Sequence, residues 1–204
     1  MDATPFVPER ARSLKALREA AAGCRGCHLY ANATQTVFGD GSPRARVMMV
    51  GEQPGDREDR EGAPFVGPAG RELDKALDAV GIERRDVYIT NAVKHFKFEE
   101  RGKRRIHARP NASEIAACKP WLEAEIAVVR PRVIACLGAT AAQALLGKAF
   151  RVTQHRGEWI ESPLAPHVIA TVHPSSLLRA PDEASRRAAI EAFVADLRVI
   201  ASVL

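Results

Sequence analysis

The chain has 204 residues, enough for one α/β domain with a substantial core, and its 46% hydrophobic content fits a folded, water-soluble protein. No run approaches the ~18 apolar residues of a membrane span, and the opening "MDATPFVPERARS" lacks the charged-then-apolar order of a secretory signal, so a cytoplasmic location is expected. Thirty Lys and Arg against twenty-five Asp and Glu give a net charge of +5, which is compatible with a polyanionic partner without requiring one.

In chain order, "PERARSLKALREAAAG" has the composition and closing glycine of a helix that delivers the chain to Cys24 and Cys27 of "CRGC". "RVMMVG" reads as a short buried strand running into the loop "GEQPG". After the Gly/Pro-rich "GAPFVGPAG", Leu73, Leu77 and Val80 recur at helical spacing, and Gly81 stops that helix. "VYIT" is the next strand and ends at Asn91. A polar, basic connection follows over residues 94–112, after which Ser113 is the expected cap of a helix running towards Pro131, with Pro120 as a kink. "RVIACLG" reads as a third strand, "ATAAQALLG" as a short helix, and "HVIATV" as a fourth strand ending at "HPSSLLR". The last segment is amphipathic, with Ile190, Phe193, Val194 and Leu197 on its apolar side.

Strands alternating with helices predict a three-layer α/β/α architecture with a central, mostly parallel four-stranded sheet, formed by residues 1–204 as a single domain. "GEQPG", Asn91 and "HPSSLLR" each follow a β-run, so they should gather at the carboxyl edge of the sheet, where open α/β folds hold their ligands. The stretch "GKRRIHARP" sets Lys103, Arg104 and Arg105 directly before His107; taken alone, it reads as a solvated basic loop with an incidental histidine.

The four cysteines form a second constellation. Cys24 and Cys27 make a CxxC, and Cys118 and Cys136 follow far along the chain. A CxxC closed by two distant cysteines can build a four-thiolate metal site, holding either zinc or an iron–sulfur cluster. A redox CxxC with two inert core thiols is the alternative, since Cys136 lies within an apolar strand.

"GEQPG", "PFVGPAG", "TNAVKHFKF", "KRRIH" and "VHPSSLLR", together with the cysteines, resemble the uracil-DNA glycosylase superfamily, specifically its iron–sulfur branch: family 4 and the related UdgX group. The resemblance covers residues 24–180. It implies a structural [4Fe-4S] cluster on Cys24, Cys27, Cys118 and Cys136, and uracil-containing DNA as the partner, single-stranded with duplex also open, bound by a monomer. It also implies that Phe65 stacks on a flipped base and that Ser175 and Arg179 of the "HPSSLLR" loop contact DNA.

The chemistry can be argued beside the resemblance. Cleavage of the glycosidic bond leaves negative charge on uracil and electron deficiency at C1′. His173 can donate to the developing uracilate oxygen, and Asn91 offers the donor–acceptor pair that meets uracil N3–H and O4. "GEQPG" departs from the classical pattern, because Gln53 falls at the catalytic-loop position where an aspartate activates water in other members, and an amide cannot act as that base. Glu52 is the remaining carboxylate. Lys103, Arg104 and Arg105 can neutralise phosphates or fix the loop, presenting His107 near C1′ as a nucleophile whose tautomer Glu52 holds. In UdgX proteins that histidine stays covalently attached to the DNA. A conventional glycosylase that turns over and a non-catalytic binder of uracil or abasic DNA are the alternatives.

Overall fold

A computed structural model describes residues 2–9 and 13–204. The predicted first helix therefore has its residues 10–12 outside the described residues. Its visible part, α1 (Leu14–Ala21), starts at Ser13, whose hydroxyl accepts from the Ala16 amide at 3.2 Å. Strand β1 (Val47–Gly51) is followed by a short helix, α2 (Asp56–Glu61), and then by α3 (Pro68–Ala79), which ends before Gly81 in the left-handed region at φ +72°. Strand β2 (Val87–Asn91) comes next.

The 94–112 connection is more ordered than its polarity suggests. It folds back as an antiparallel hairpin of β3 (Phe98–Arg101) and β4 (Arg104–His107), turning at Gly102 with φ +60°. Helix α4 (Ala112–Val129) is capped by Asn111 and not by Ser113. The Asn111 side chain accepts from the Glu114 amide at 2.9 Å, while the Asn111 amide donates to Glu114 Oε2 at 2.7 Å. Ser113 instead donates its hydroxyl to Asn111 Oδ1 at 2.7 Å, and the helix runs on through Pro120. The chain continues through β5 (Val133–Leu137), α5 (Ala139–Leu146), a single turn α6 (Val152–His155), β6 (Trp159–Ile160), β7 (His167–Thr171) and α7 (Glu183–Ala201).

The four predicted strands form the parallel part of the sheet, in the order β2-β1-β5-β7, and a fifth, two-residue strand, β6, adds an antiparallel edge to β7. The pleat sorts the central strands into two cores. Val47 and Met49 face Leu73 and Leu77 of α3 and Phe193 and Leu197 of α7. Met48, Val50, Ile134 and Cys136 face Leu122 of α4 with Ala141 and Ala142 of α5. A third cluster, in which Leu17, Cys24, Cys118 and Trp121 meet, joins α1 to α4. Among the described residues, no helix is long and apolar enough to cross a membrane.

Candidate active site

Strand order reverses beside β1, between β1 and β5, and the loops leaving β1, β2, β5 and β7 open there into a cavity of about 820 Å³. Glu52, Asn91, Phe65, His107 and His173 all line it. The structure thus brings together the five residues on which the sequence-based chemistry depends.

The inner end is shaped for a flat polar ring. Asn91 is 2% exposed at the end of β2, and its Oδ1 is buried with no hydrogen-bond partner, an acceptor that a ligand N–H can satisfy. Gly51 leaves room for it, since a Cβ there would lie 2.4 Å from Asn91 Oδ1 and 2.7 Å from the Phe65 ring. Behind the pocket, fully buried Lys94 donates to the Asn91 carbonyl at 2.7 Å and to Glu125 Oε2 at 2.5 Å, which pins the strand end. Phe65 adopts φ +57°, a strained value for an aromatic residue, and its ring centroid lies 5.7 Å from that of His173.

His173 follows β7 and caps the 3-10 turn Pro174–Arg179. The Ser175 amide donates to its Nδ1 at 3.2 Å, so the ring proton sits on Nε2. Burial lowers its pKa to about 4, against the opposing pull of Glu52. It is therefore a neutral imidazole carrying one fixed donor. Arg179 is exposed at the rim and donates to Ser175 Oγ at 3.0 Å, leaving its other nitrogens available to an anion.

The hairpin forms the outer wall. His107 ends β4 half-exposed, with Nε2 3.3 Å from Glu52 Oε1. Thr140, at the start of α5, donates to Glu52 Oε2 at 2.5 Å and accepts from Arg109 Nε at 3.2 Å, completing a chain from Arg109 to His107. Burial alone would raise Glu52, but the hydrogen bonds from His107 and Thr140 and the charges of His107 and His173 outweigh it, holding the carboxyl below its ordinary range. The sequence reading missed Thr140 and Arg109. Thr140 carries the signal that marked the others, a polar side chain just past the end of a β-run.

Gln53 lines the cavity too, with its amide engaged by the hairpin: its Nε2 donates to the carbonyls of Lys97 at 3.1 Å and Ala108 at 3.0 Å, and its Oε1 accepts from the Lys97 amide at 3.0 Å. One amide, able to donate and accept at once, thereby clasps both strands at the base of the hairpin. Arg105 is turned inward, in the loop-fixing arrangement of the two roles expected of it. It pairs with Asp56 at 2.5 Å and Asp59 at 2.7 Å and lies over the rings of Phe96 and Phe98. Lys103 and Arg104 are exposed on the turn and the outer strand.

Of the cysteines, Cys24, Cys27 and Cys118 share the third core cluster. Trp121 Nε1 donates to Cys24 Sγ and the Lys94 amide to Cys118 Sγ, each at 3.2 Å. Burial raises the Cys118 thiol to about 12, with Lys94 opposing and neighbouring Cys27 and Cys24 adding to the rise. Gly26 is required between the first two, because a Cβ there would lie 2.6 Å from the Ala3 amide. Cys136 is elsewhere. It points from β5 into the core against α4 and α5, where burial raises its thiol to about 12. The expected set of four thiols is therefore three together and one apart.

Comparison with known proteins finds sequence similarity to uracil-DNA glycosylases. A type-4 uracil-DNA glycosylase of Thermotoga maritima is 41% identical over 169 residues, covering 82% of this chain and 84% of the relative. One from Sulfurisphaera tokodaii is 35% identical, covering 83% and 78%, and a type-5 uracil-DNA glycosylase of Pyrobaculum aerophilum is 35% identical, covering 67% and 64%. The family model described as "Uracil DNA glycosylase superfamily" matches residues 38–198, which include every strand and all five residues around the cavity, and the chain belongs to that superfamily.

Proposed function

We propose that this protein excises uracil from DNA and then captures the resulting sugar on His107, remaining covalently attached. The observation that carries the second half is the His107–Glu52 pair, 3.3 Å apart across the mouth of a cavity whose inner end presents an unpaired amide oxygen. Asn91 Oδ1 accepts from uracil N3–H, and its amide nitrogen is free to meet O4. Cytosine, which has no N3–H, would leave Oδ1 unpaired. Phe65 stacks on the flipped base. As the C1′–N1 bond breaks, its electron pair leaves with uracil, and His173 Nε2–H donates to the negative charge gathering on the base oxygen.

The sugar is left electron-deficient at C1′. Glu52 holds His107 Nε2 as N–H, so the lone pair lies on Nδ1 and forms the new C1′–N bond. The ring becomes an imidazolium beside the Glu52 carboxylate, and the departing uracilate takes a proton from solvent. Lys103, Arg104, Ser175 and Arg179 contact phosphates on either side of the pocket.

We further infer that Cys24, Cys27 and Cys118 bind an iron–sulfur cluster. Three neighbouring sulfurs, two of them accepting N–H hydrogen bonds, fit such a group. When bound, it cross-links the CxxC segment to α4, away from the bond being cut. Among the described residues, no three His, Cys, Asp or Glu groups meet as a site for a single metal ion.

A denaturing gel of the protein mixed with uracil-containing DNA tests the reading. A one-to-one species stable to heat and detergent is expected, absent with uracil-free DNA. His107→Ser should abolish it and leave uracil release measurable, because Asn91, Phe65 and His173 still hold the base. The identity to type-4 glycosylases favours a second reading, ordinary turnover. Many uracils released per wild-type molecule, with no adduct, would establish that reading instead.

A further inference from the structure

Three arginines line the cavity, Arg57, Arg109 and Arg179, and they are not equally committed. Arg57 pairs with Glu61 at 2.6 Å, and Arg179 already donates to Ser175 at the rim. Arg109 is exposed just past the strand that carries His107, and only its Nε is engaged, donating to Thr140 Oγ1 at 3.2 Å. Among the described residues, nothing accepts from its two terminal nitrogens and no carboxylate pairs with it. We propose that Arg109 binds one of the two phosphates flanking the flipped nucleotide and so registers the strand against the His107–Glu52 pair; the assignment rests on the uracil-DNA reading above.

The backbone holds Arg109 in place before any ligand arrives. On one side, the Ala108 carbonyl accepts from Gln53 Nε2 at 3.0 Å, and the Ala108 amide donates to the Lys97 carbonyl at 3.0 Å. On the other, Pro110 is buried and Asn111 opens α4 with its reciprocal cap. The proline also confines the residue before it to extended backbone. An arginine on a fixed backbone, with one nitrogen anchored, loses little freedom on gripping a ligand, and its planar terminal N–H groups match the paired oxygens of a phosphate. Arg105, four residues earlier, is the contrast: its nitrogens are taken by Asp56, Asp59 and Thr34.

Charge makes the same demand. Glu52 is ionised at neutral pH, and Asp56 and Glu58 also line the cavity. Asp56 is met by Arg60 and Arg105, and Glu58 accepts from the amides of Gly55 and Gly67. Among the described residues, no Lys or Arg pairs with Glu52, so a phosphate nearing His107 is repelled unless a cation stands beside it. Arg109, joined to Glu52 through Thr140, is that cation. Arg179 reaches the mouth from the turn after β7, which packs on α3, and so suits the phosphate on the other side of the nucleotide.

The test uses the full chain and single-stranded oligonucleotides carrying 2′-fluorodeoxyuridine, whose fluorine slows bond cleavage so that equilibrium binding can be read by fluorescence anisotropy. A neutral methylphosphonate replaces each flanking phosphate in turn. In the wild type, replacement at one of the two positions should weaken binding about tenfold to a hundredfold, the loss of a charge-assisted contact. Arg109→Gln should weaken binding of the unmodified strand by a similar factor and lose the response to methylphosphonate at that position, while keeping the response at the other. Arg109→Lys should recover part of the lost response. A variant that merely misfolds binds every oligonucleotide less in the same proportion, so the ratio between modified and unmodified strands keeps the test decisive. The assignment is overturned if Arg109→Gln responds at both positions as the wild type does, or if it binds the unmodified strand with wild-type affinity. Equal wild-type affinity for the 2′-fluorodeoxyuridine strand and its thymidine counterpart would overturn the uracil-DNA reading, and the assignment with it. A phosphate response in a protein that forms no adduct with deoxyuridine would support the assignment and remove only capture on His107.

Discussion

Asn91 ends, and His173 shortly follows, a strand buried on both faces, whereas His107 stands at the end of a two-stranded ribbon that is mostly exposed. The first pair inherits its position from the sheet itself: β1 and β2 are fully buried, and Lys94 with Glu125 locks the strand end from behind. The hairpin has no such support. It meets the body through the Gln53 clasp, the Arg105 pairs with Asp56 and Asp59, and the Glu52 contact to His107. Base recognition and sugar capture thus occupy walls of different origin, and each should be removable without the other.

The largest separation is expected at the inner wall. His173→Ala removes the fixed Nε2 donor to the leaving base, a loss that should slow single-turnover uracil release by about a hundredfold to a thousandfold. Adduct formation should fall in parallel, since no sugar cation arises for His107 to trap. Rapid-quench measurement of free uracil checks this, and an unchanged rate would show that the two walls do not divide the work in this way.

At the outer wall, Arg105→Met leaves Asp59, fully buried, without its cation. The expected loss is about 2 kcal/mol, less than the ~3–5 kcal/mol of a fully enclosed pair because Asp56 meets water. Denaturant unfolding measures it. Adduct formation should slow by about tenfold as the nucleophile loses its placement, while uracil release stays close to wild type. Lys103→Ala and Arg104→Ala should do the reverse, each reducing the slope of binding against log salt by about 0.7 to 0.9 and leaving stability unchanged. Arg105→Met should not reduce that slope. A reduced slope there would mean that Arg105 leaves its acidic partners to meet phosphate.

The same division governs how far the sequence could be read. Val47, Met49, Ile89 and Ile134 made the strands legible because a parallel strand buried on both faces is apolar throughout, and the site residues at the strand ends followed from topology. The two-residue edge strand β6 was too short to show a pattern. The β3–β4 hairpin was hidden for another reason. Its strands, "FEER" and "RRIH", have one face in water and the other on Arg105 and Phe98, so charge appears on both faces and no alternation survives. Gln53 and Cys136 show a third limit: whether the Gln53 amide clasps the hairpin, and whether Cys136 lies beside the other three thiols, depend on long-range packing that a motif does not encode.

The smallest effect tests the link between the two walls. Thr140→Val keeps the shape of the side chain at the start of α5 and removes the hydrogen bond to Glu52 Oε2. Uracil release should be unaffected, since Asn91, Phe65 and His173 are untouched. Adduct formation at neutral pH should fall by less than about tenfold, because one hydrogen bond to a charged group is lost while the carboxylate stays ionised. The pH profile is the sharper readout. Glu52 titrates below the ordinary carboxylate range, with Thr140 among the groups holding it there. Support of the imidazolium is therefore complete above that range in the wild type, and is lost only as pH falls through the depressed pKa. Without the Thr140 bond the pKa rises, so the acid limb of adduct formation must move to higher pH while the acid limb of uracil release, which depends on His173, stays where it is. If both limbs moved together, Glu52 would be acting on bond cleavage and not on capture. If neither moved, the Arg109–Thr140–Glu52 chain would have no part in setting the state of His107.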